Sequence, residues 1–114
     1  MENKRSFLPT DRVKRSAFVV FEDKSGKKTY MSIVNGDNGW ESMIYATRKH
    51  AVDGNEDGGG IEFCSLAPGE CTVAQLVSAA LDQADGDAVT PNKETPYSVV
   101  SVDDDFDPDD LPNS

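Results

Sequence analysis

Two runs of β-branched and aromatic residues flank a polar turn in the first third of the chain. The stretch RSAFVVFEDKSGKKTYMSIV places apolar side chains on both faces of each run, and Gly26 stands where a turn needs a positive φ. This pattern predicts a hairpin over about residues 15–22 and 28–35. Because both faces are apolar, one packs on the core and the other must be covered or used for binding.

The next segment, NGDNGWESMIYATRKH, fits two structures. Asn38 and Glu41 are three positions apart, as in a capping box, and apolar residues from Trp40 onward follow at helical spacing. Asn38-Gly39 is also a strong hairpin-turn dipeptide, and Ile44 and Tyr45 favour strands. We prefer a third strand here, and the helix stays open as the alternative.

Later patterns predict a strand, a helix and an edge strand. GIEFCSL follows the flexible loop VDGNEDGGG and predicts a fourth strand. Thr72 and Gln75 predict the start of a helix and Gly86 its end. An apolar stripe at helical spacing lies between them, formed by Val73, Leu76, Val77, Ala80, Leu81 and Ala84. YSVVSV predicts the edge strand.

The order of these elements predicts an α+β fold, in which a small antiparallel β-sheet of four to five strands carries one helix on one face. At 114 residues the chain is long enough for one domain. We expect a flexible N-terminal arm over residues 1–11, a single α+β domain over 12–102, and an acidic C-terminal tail over 103–114. The tail has too little apolar surface to offset its chain entropy, so we expect it to be disordered.

Charge divides the chain into two unlike halves. Residues 1–50 hold ten Lys/Arg against six Asp/Glu, a net charge of +4, whereas residues 51–114 hold one Lys against fifteen Asp/Glu, a net charge of −14. Such asymmetry indicates nucleic-acid contact or an interaction tail.

Cysteine content and hydropathy indicate the compartment. Cys64 and Cys71 form neither a disulfide framework nor a zinc-binding pattern. The longest apolar run near the start, Ala17 to Phe21, is too short for a signal peptide or a membrane span. We therefore expect a soluble, cytoplasmic protein without membrane contact.

Aromatic residues are concentrated in the basic half, which holds six of the nine rings in the chain. Single-strand binders use cations to contact phosphates and rings on which bases stack. Each ring taken alone is better explained as ordinary core; the joint enrichment of rings and cations supports the binding hypothesis. The candidate nucleic-acid-binding residues are Arg12, Lys14, Arg15, Phe18, Lys27, Lys28, Tyr30, Trp40, Tyr45, Arg48 and Lys49.

The acidic tail combines aspartates with a few apolar residues. Six of the eight residues from Asp103 to Asp110 are aspartates. The candidate partner-binding residues of the tail are Asp103, Asp104, Asp105, Phe106, Asp107, Asp109, Asp110 and Leu111. DDDFDPDDLP resembles the acidic C-terminal tip of bacterial and phage single-stranded DNA-binding proteins. The resemblance covers this segment and the overall layout, and the chain departs from the bacterial Pro-Phe ending, since Asn113 and Ser114 follow Pro112.

This resemblance implies that the tail recruits other proteins and competes with nucleic acid for the binding face. Simple electrostatics agrees, because a mobile segment of charge −6 is incompletely screened within about 10 Å of a cationic surface. The tail is thus expected to cover the basic face until nucleic acid displaces it.

Other chemistry finds little support in the sequence. Asp53, Asn55 and Asp57 match the opening of a calcium loop, but Cys64 stands where that loop needs a glutamate. His50 and Cys71 suggest no catalytic pair, since nothing in the sequence brings them together. We expect no enzymatic activity, no metal and no cofactor.

The function predicted from the sequence is non-catalytic binding of single-stranded DNA or RNA, with a tail that modulates binding or recruits proteins; self-association stays open. One alternative is a small acidic inhibitor of the phage type, which binds a nucleic-acid enzyme by imitating DNA. Another is an interaction module, in which SVVSVDDDFD adds a strand to the sheet edge of a partner.

Overall fold

A computed structural model describes residues 7–36, 39–53, 60–63, 71–84 and 90–103. Apart from Asp103, the predicted disordered tail lies outside these residues, as does most of the possible calcium loop. In chain order the elements are β1 (Arg12–Val13), β2 (Ser16–Glu22), β3 (Lys28–Gly36), β4 (Gly39–Tyr45), α1 (Arg48–Asp53), β5 (Gly60–Phe63), β6 (Cys71–Thr72), α2 (Val73–Gln83) and β7 (Tyr97–Val102).

The main sheet has five antiparallel strands in the order β5-β4-β3-β2-β7. The predicted hairpin is confirmed, since β2 pairs with β3 from Glu22↔Lys28 to Ser16↔Val34, and Gly26 in the turn has a φ of +88°. The predicted edge strand is β7, which pairs with β2. The predicted α+β class with a small antiparallel sheet is therefore confirmed.

Two features differ from the prediction. β1 pairs with β6 as a separate two-stranded sheet, and a second helix, α1, follows β4. The strand preferred for residues 39–50 is confirmed as far as Tyr45 and wrong beyond it. Thr47 turns the chain into α1, because its Oγ1 accepts a hydrogen bond from the N–H of His50 at 3.1 Å and its carbonyl accepts one from Ala51 at 3.1 Å.

Helix α2 covers one face of the sheet with its apolar stripe. The buried residues of this helix are Val73, Leu76, Val77, Ala80 and Leu81. They belong to one core with the strand residues Ala17, Val19, Phe21, Met31, Ile33, Trp40, Ile44 and Val102. Each large apolar side chain buried in this way contributes roughly 1.5–3 kcal/mol, so this layer is the main source of stability.

The opposite face of the sheet is also buried. Phe18 and Val20 of β2, Tyr30 of β3 and Tyr45 of β4 form a second cluster with Ala51 of α1. The second apolar face of the hairpin is thus covered rather than left for binding. The prediction of a single helix on one face is wrong, because α2 lies on one face and α1 on the other.

The start of α2 is held by the segment before β1. The first four N–H groups of a helix lack partners within the helix. Here Val73 donates to the carbonyl of Asp11 at 3.1 Å and Ala74 to the carbonyl of Pro9 at 2.9 Å. Gln75 donates to the Thr72 hydroxyl at 3.2 Å, which confirms the predicted capping box. Residues 7–11, predicted as part of the flexible arm, therefore contact the domain.

We expect Thr72→Ala to lower the free energy of unfolding by about 1 kcal/mol, because the N–H of Gln75 loses its acceptor. Urea denaturation followed by far-UV circular dichroism measures this loss. Ser78→Ala is the matched control, since Ser78 is exposed in the same helix and α-helices favour alanine. Equal stability of Thr72→Ala and the wild type would contradict the role of this cap.

Candidate functional site

The rings predicted to stack on bases are buried. Trp40 and Tyr30 have no exposed surface, and Phe18 and Tyr45 are 4% and 6% exposed. Trp40 lies in the core beneath α2, and the other three lie in the cluster beside α1. The structure therefore divides these rings between two buried clusters and offers none of them to a base.

The predicted cations fall into two groups at opposite ends of the sheet. The first, here called the turn-end group, consists of the predicted Lys27, Lys28, Arg48 and Lys49, together with Lys24 of the same turn. Lys24 and Lys27 lie in the β2–β3 turn, and Lys28 is the first residue of β3. Arg48 and Lys49 belong to α1, which follows β4. The last residue of β4, Tyr45, pairs with Tyr30 near the start of β3, so α1 begins at the same end of the sheet as the turn. Lys24, Lys27 and Lys49 are exposed, and Lys28 and Arg48 are half-buried.

The second group, here called the junction group, consists of Arg12, Lys14 and Arg15. These residues lie at β1 and in the link to β2, and all three are exposed. The seven residues of β2 separate the two groups, which corresponds to roughly 20 Å along the strand. The basic half of the sequence thus forms two cationic ends rather than one face.

The first residue of the acidic tail binds at the junction group. The Oδ1 atom of Asp103 accepts hydrogen bonds from three consecutive backbone N–H groups, those of Lys14 at 3.0 Å, Arg15 at 2.6 Å and Ser16 at 3.2 Å. The Arg15 guanidinium also donates to the carbonyl of Asp103. The root of the tail is therefore fixed beside exposed cations.

This position follows from strand pairing. β7 runs antiparallel to β2, and Ala17 pairs with Val102, so the residue after β7 emerges where β2 begins. The N–H of Asp103 donates to the carbonyl of Ser16 at 2.7 Å. Asn35 braces the other side of the link, since its Nδ2 donates to the carbonyl of Lys14 at 3.2 Å and its N–H to that of Arg15 at 2.9 Å.

Competing effects set the pKa of Asp103. Partial burial alone raises this pKa, but the hydrogen bonds from Arg15, Ser16 and Lys14, together with the charge of Arg15, outweigh it. The pKa of Asp103 therefore lies below its usual value, and the carboxylate stays charged at neutral pH.

The anchoring role of Asp103 was missed by the sequence analysis, which placed this residue in the tail. Its partners lie 87 to 89 positions away in the chain. Local sequence carries no signal for a contact of that span. A hydrogen-bonding aspartate directly after an edge strand becomes meaningful only once the register of β7 is known.

The remaining candidates form no second site in the described part of the chain. The other predicted tail residues, Asp104, Asp105, Phe106, Asp107, Asp109, Asp110 and Leu111, lie outside it. Cys71 is a buried core residue. No group of three or more metal-binding side chains occurs among the residues that the structure describes.

Comparison with known proteins gives no relative from which a function could be transferred. No protein family, no curated protein and no solved structure matches the chain. In the described ranges, no helix has the length and apolar character needed to cross a membrane.

We expect Asp103 to contribute to stability in a pH-dependent way. Because its pKa is lowered by folding, the contribution is complete above the unfolded value of about 3.9 and is lost as pH falls through the folded value. Asp103→Asn should therefore be less stable than the wild type by about 1 kcal/mol near pH 6, and this difference should shrink toward pH 2.

Urea denaturation at a series of pH values measures the difference. Asp107→Asn is the control, since it removes one carboxylate from the same tail. A wild-type advantage over Asp103→Asn that stays constant from pH 6 to pH 2 would contradict the anchoring by a charged carboxylate.

Proposed function

We propose that this protein binds single-stranded nucleic acid without catalysis, holding phosphates with its cationic ends while the acidic tail competes for the same cations. One observation carries the proposal. The tail begins at the junction group, where the carboxylate of Asp103 already occupies a position that attracts anions. The five aspartates that follow in the sequence therefore start within reach of exposed cations.

The burial of the rings changes the expected mode of contact. With Trp40, Tyr30, Phe18 and Tyr45 in the core, affinity comes from phosphates rather than from stacked bases. The two cationic groups lie at opposite ends of β2, and a flexible strand can follow the surface between them. A single strand bends easily over such a distance, whereas a duplex is stiff over about 150 base pairs. This difference in stiffness favours single strands as ligands.

Electrostatic contact of this kind depends strongly on salt. Each phosphate neutralised on a single strand contributes about −0.7 to the slope of log K against log salt concentration. The formal charge of the whole chain is −10, so the tail opposes the approach of a polyanion. Removing tail charge should therefore strengthen binding.

A second candidate is an acidic protein that binds a nucleic-acid enzyme in place of DNA. The burial of the four rings and the excess of 21 Asp/Glu over 11 Lys/Arg favour it. Under this alternative the cations hold the root of the tail in place, and the carboxylates face the partner. Phe106 and Leu111 of the tail suit contact with a protein under either candidate.

The test is fluorescence anisotropy of a labelled 20-nucleotide single strand at several salt concentrations. We expect the full chain to bind, with weaker binding as salt rises, and a chain ending at Asp103 to bind about tenfold more tightly, because five aspartates no longer compete. Phe106→Ala/Leu111→Ala is the matched control, since it keeps the charge of the tail and should leave affinity unchanged.

Substitutions test the two cationic groups separately. Lys27→Gln/Lys28→Gln at the turn end and Arg12→Gln/Lys14→Gln at the junction should each weaken binding several-fold and reduce the salt slope by about 1.4. Lys93→Gln is the control, because Lys93 lies in neither group and pairs with Asp82. A duplex of the same length should bind more weakly. Absence of binding at low salt by both the full and the truncated chain would reject this function and favour the second candidate.

A further inference from the structure

The contacts of Asp103 have the geometry of an anion site made by the backbone. Three consecutive N–H groups converge on one oxygen, at 3.0, 2.6 and 3.2 Å, and the N–H of Lys14 also reaches the second oxygen at 3.1 Å. Successive N–H groups that point into one concavity bind phosphates in other proteins. The Oδ1 atom of Asp103 stands where one oxygen of such a ligand would lie.

The surroundings favour a ligand with more charge than one carboxylate. Arg12, Lys14 and Arg15 are all exposed at this position, and the Arg15 guanidinium contacts the main chain of Asp103. A guanidinium beside backbone N–H donors suits phosphate oxygens, because several charge-assisted hydrogen bonds then form at once.

The present occupant can leave without opening the core. Asp103 lies after the last residue of β7, and its neighbour Val102 is the buried residue that packs beneath α2. Asp103 has a φ of +60°, a left-handed conformation that aspartate adopts more readily than most residues other than glycine. When its carboxylate leaves, the N–H of Asp103 keeps its bond to the carbonyl of Ser16, and a replacement anion satisfies the three N–H groups.

We propose that the N–H groups of Lys14, Arg15 and Ser16, together with the Arg15 side chain, form a phosphate-binding site that Asp103 fills when no ligand is present. Entry of a phosphate group displaces Asp103 and frees the root of the acidic tail. The site itself stands on the geometry alone; the assignment of its ligand to the backbone of a nucleic acid rests on the proposed function.

The tethered carboxylate competes at a high effective concentration, on the order of millimolar for a short linkage. A free phosphate ion is thus a weak competitor of the wild-type protein, whereas a strand that contacts the junction group at several phosphates is a strong one. Removing the carboxylate exposes the site to the free ion, which makes it measurable.

The experiment uses Asp103→Gly in the full chain. Glycine adopts a φ of +60° without strain, so a lower melting temperature of this variant reports the absence of the carboxylate. We expect its melting temperature to fall by about 5 °C and to be largely restored by 50 mM inorganic phosphate, relative to sodium chloride of the same ionic strength. Sodium acetate at equal ionic strength separates a phosphate site from a general carboxylate site. Asp107→Gly is the matched control and should show no recovery specific to phosphate.

Amide NMR locates the ion and remains informative if Asp103→Gly folds poorly. In Asp103→Asn a neutral amide oxygen replaces the carboxylate and binds the three N–H groups more weakly. We expect phosphate to shift the amide resonances of Lys14, Arg15 and Ser16 in this variant at millimolar concentration, and at least tenfold more phosphate to be needed in the wild type.

Each outcome decides the proposal. Phosphate-specific recovery together with shifts at residues 14–16 supports it. The proposal is overturned if phosphate and chloride raise the melting temperature of Asp103→Gly equally, or if phosphate shifts only amide resonances outside residues 14–16. If acetate restores the melting temperature as well as phosphate does, the assignment of phosphate as the ligand is overturned. If the ion binds here but single strands do not bind the full or truncated chain, the anion site stands and the proposed function fails.

Discussion

Strand β2 is apolar on both of its faces, and this constraint determines most of the structure. Val19 and Phe21 face α2, whereas Phe18 and Val20 face the cluster beside α1. Apolar surface on a central strand is stable only when it is removed from water, so each face needs a covering layer. The same need places the neighbouring rings of Tyr30, Trp40 and Tyr45 inside, so they cannot stack on a ligand.

Position within the sheet then connects the two charged halves of the sequence. β2 lies between β3 and β7, so its beginning meets both the end of the hairpin and the end of the edge strand. Asn35 and Asp103 arrive there from these two sides and hydrogen-bond to the link before β2. Asp103, the first residue of the acidic tail, is thus part of the domain, and the pairing of β7 with β2 holds its charge beside the junction group.

Mechanistically, this arrangement differs from a stacking platform. Rings on an open sheet would recognise bases, whereas backbone N–H groups and guanidinium groups recognise anions of any source. An aspartate of the protein itself satisfies the same donors as a phosphate oxygen does. The proposed competition between Asp103 and a ligand would need no large conformational change, because both would use the same few groups at one end of the sheet.

The sequence by itself determined the local elements: the β2–β3 hairpin with Gly26 in its turn, the capping box of Thr72 and the apolar stripe of α2 all follow from patterns within a few residues. It also determined the two charged halves. Tertiary structure alone decided that the rings are buried, that residues 48–53 are helical, and that Asp103 binds residues 14–16. The physical reason is that local propensity acts between near neighbours, whereas the cover of a sheet face and the register of an edge strand depend on segments far apart in the chain.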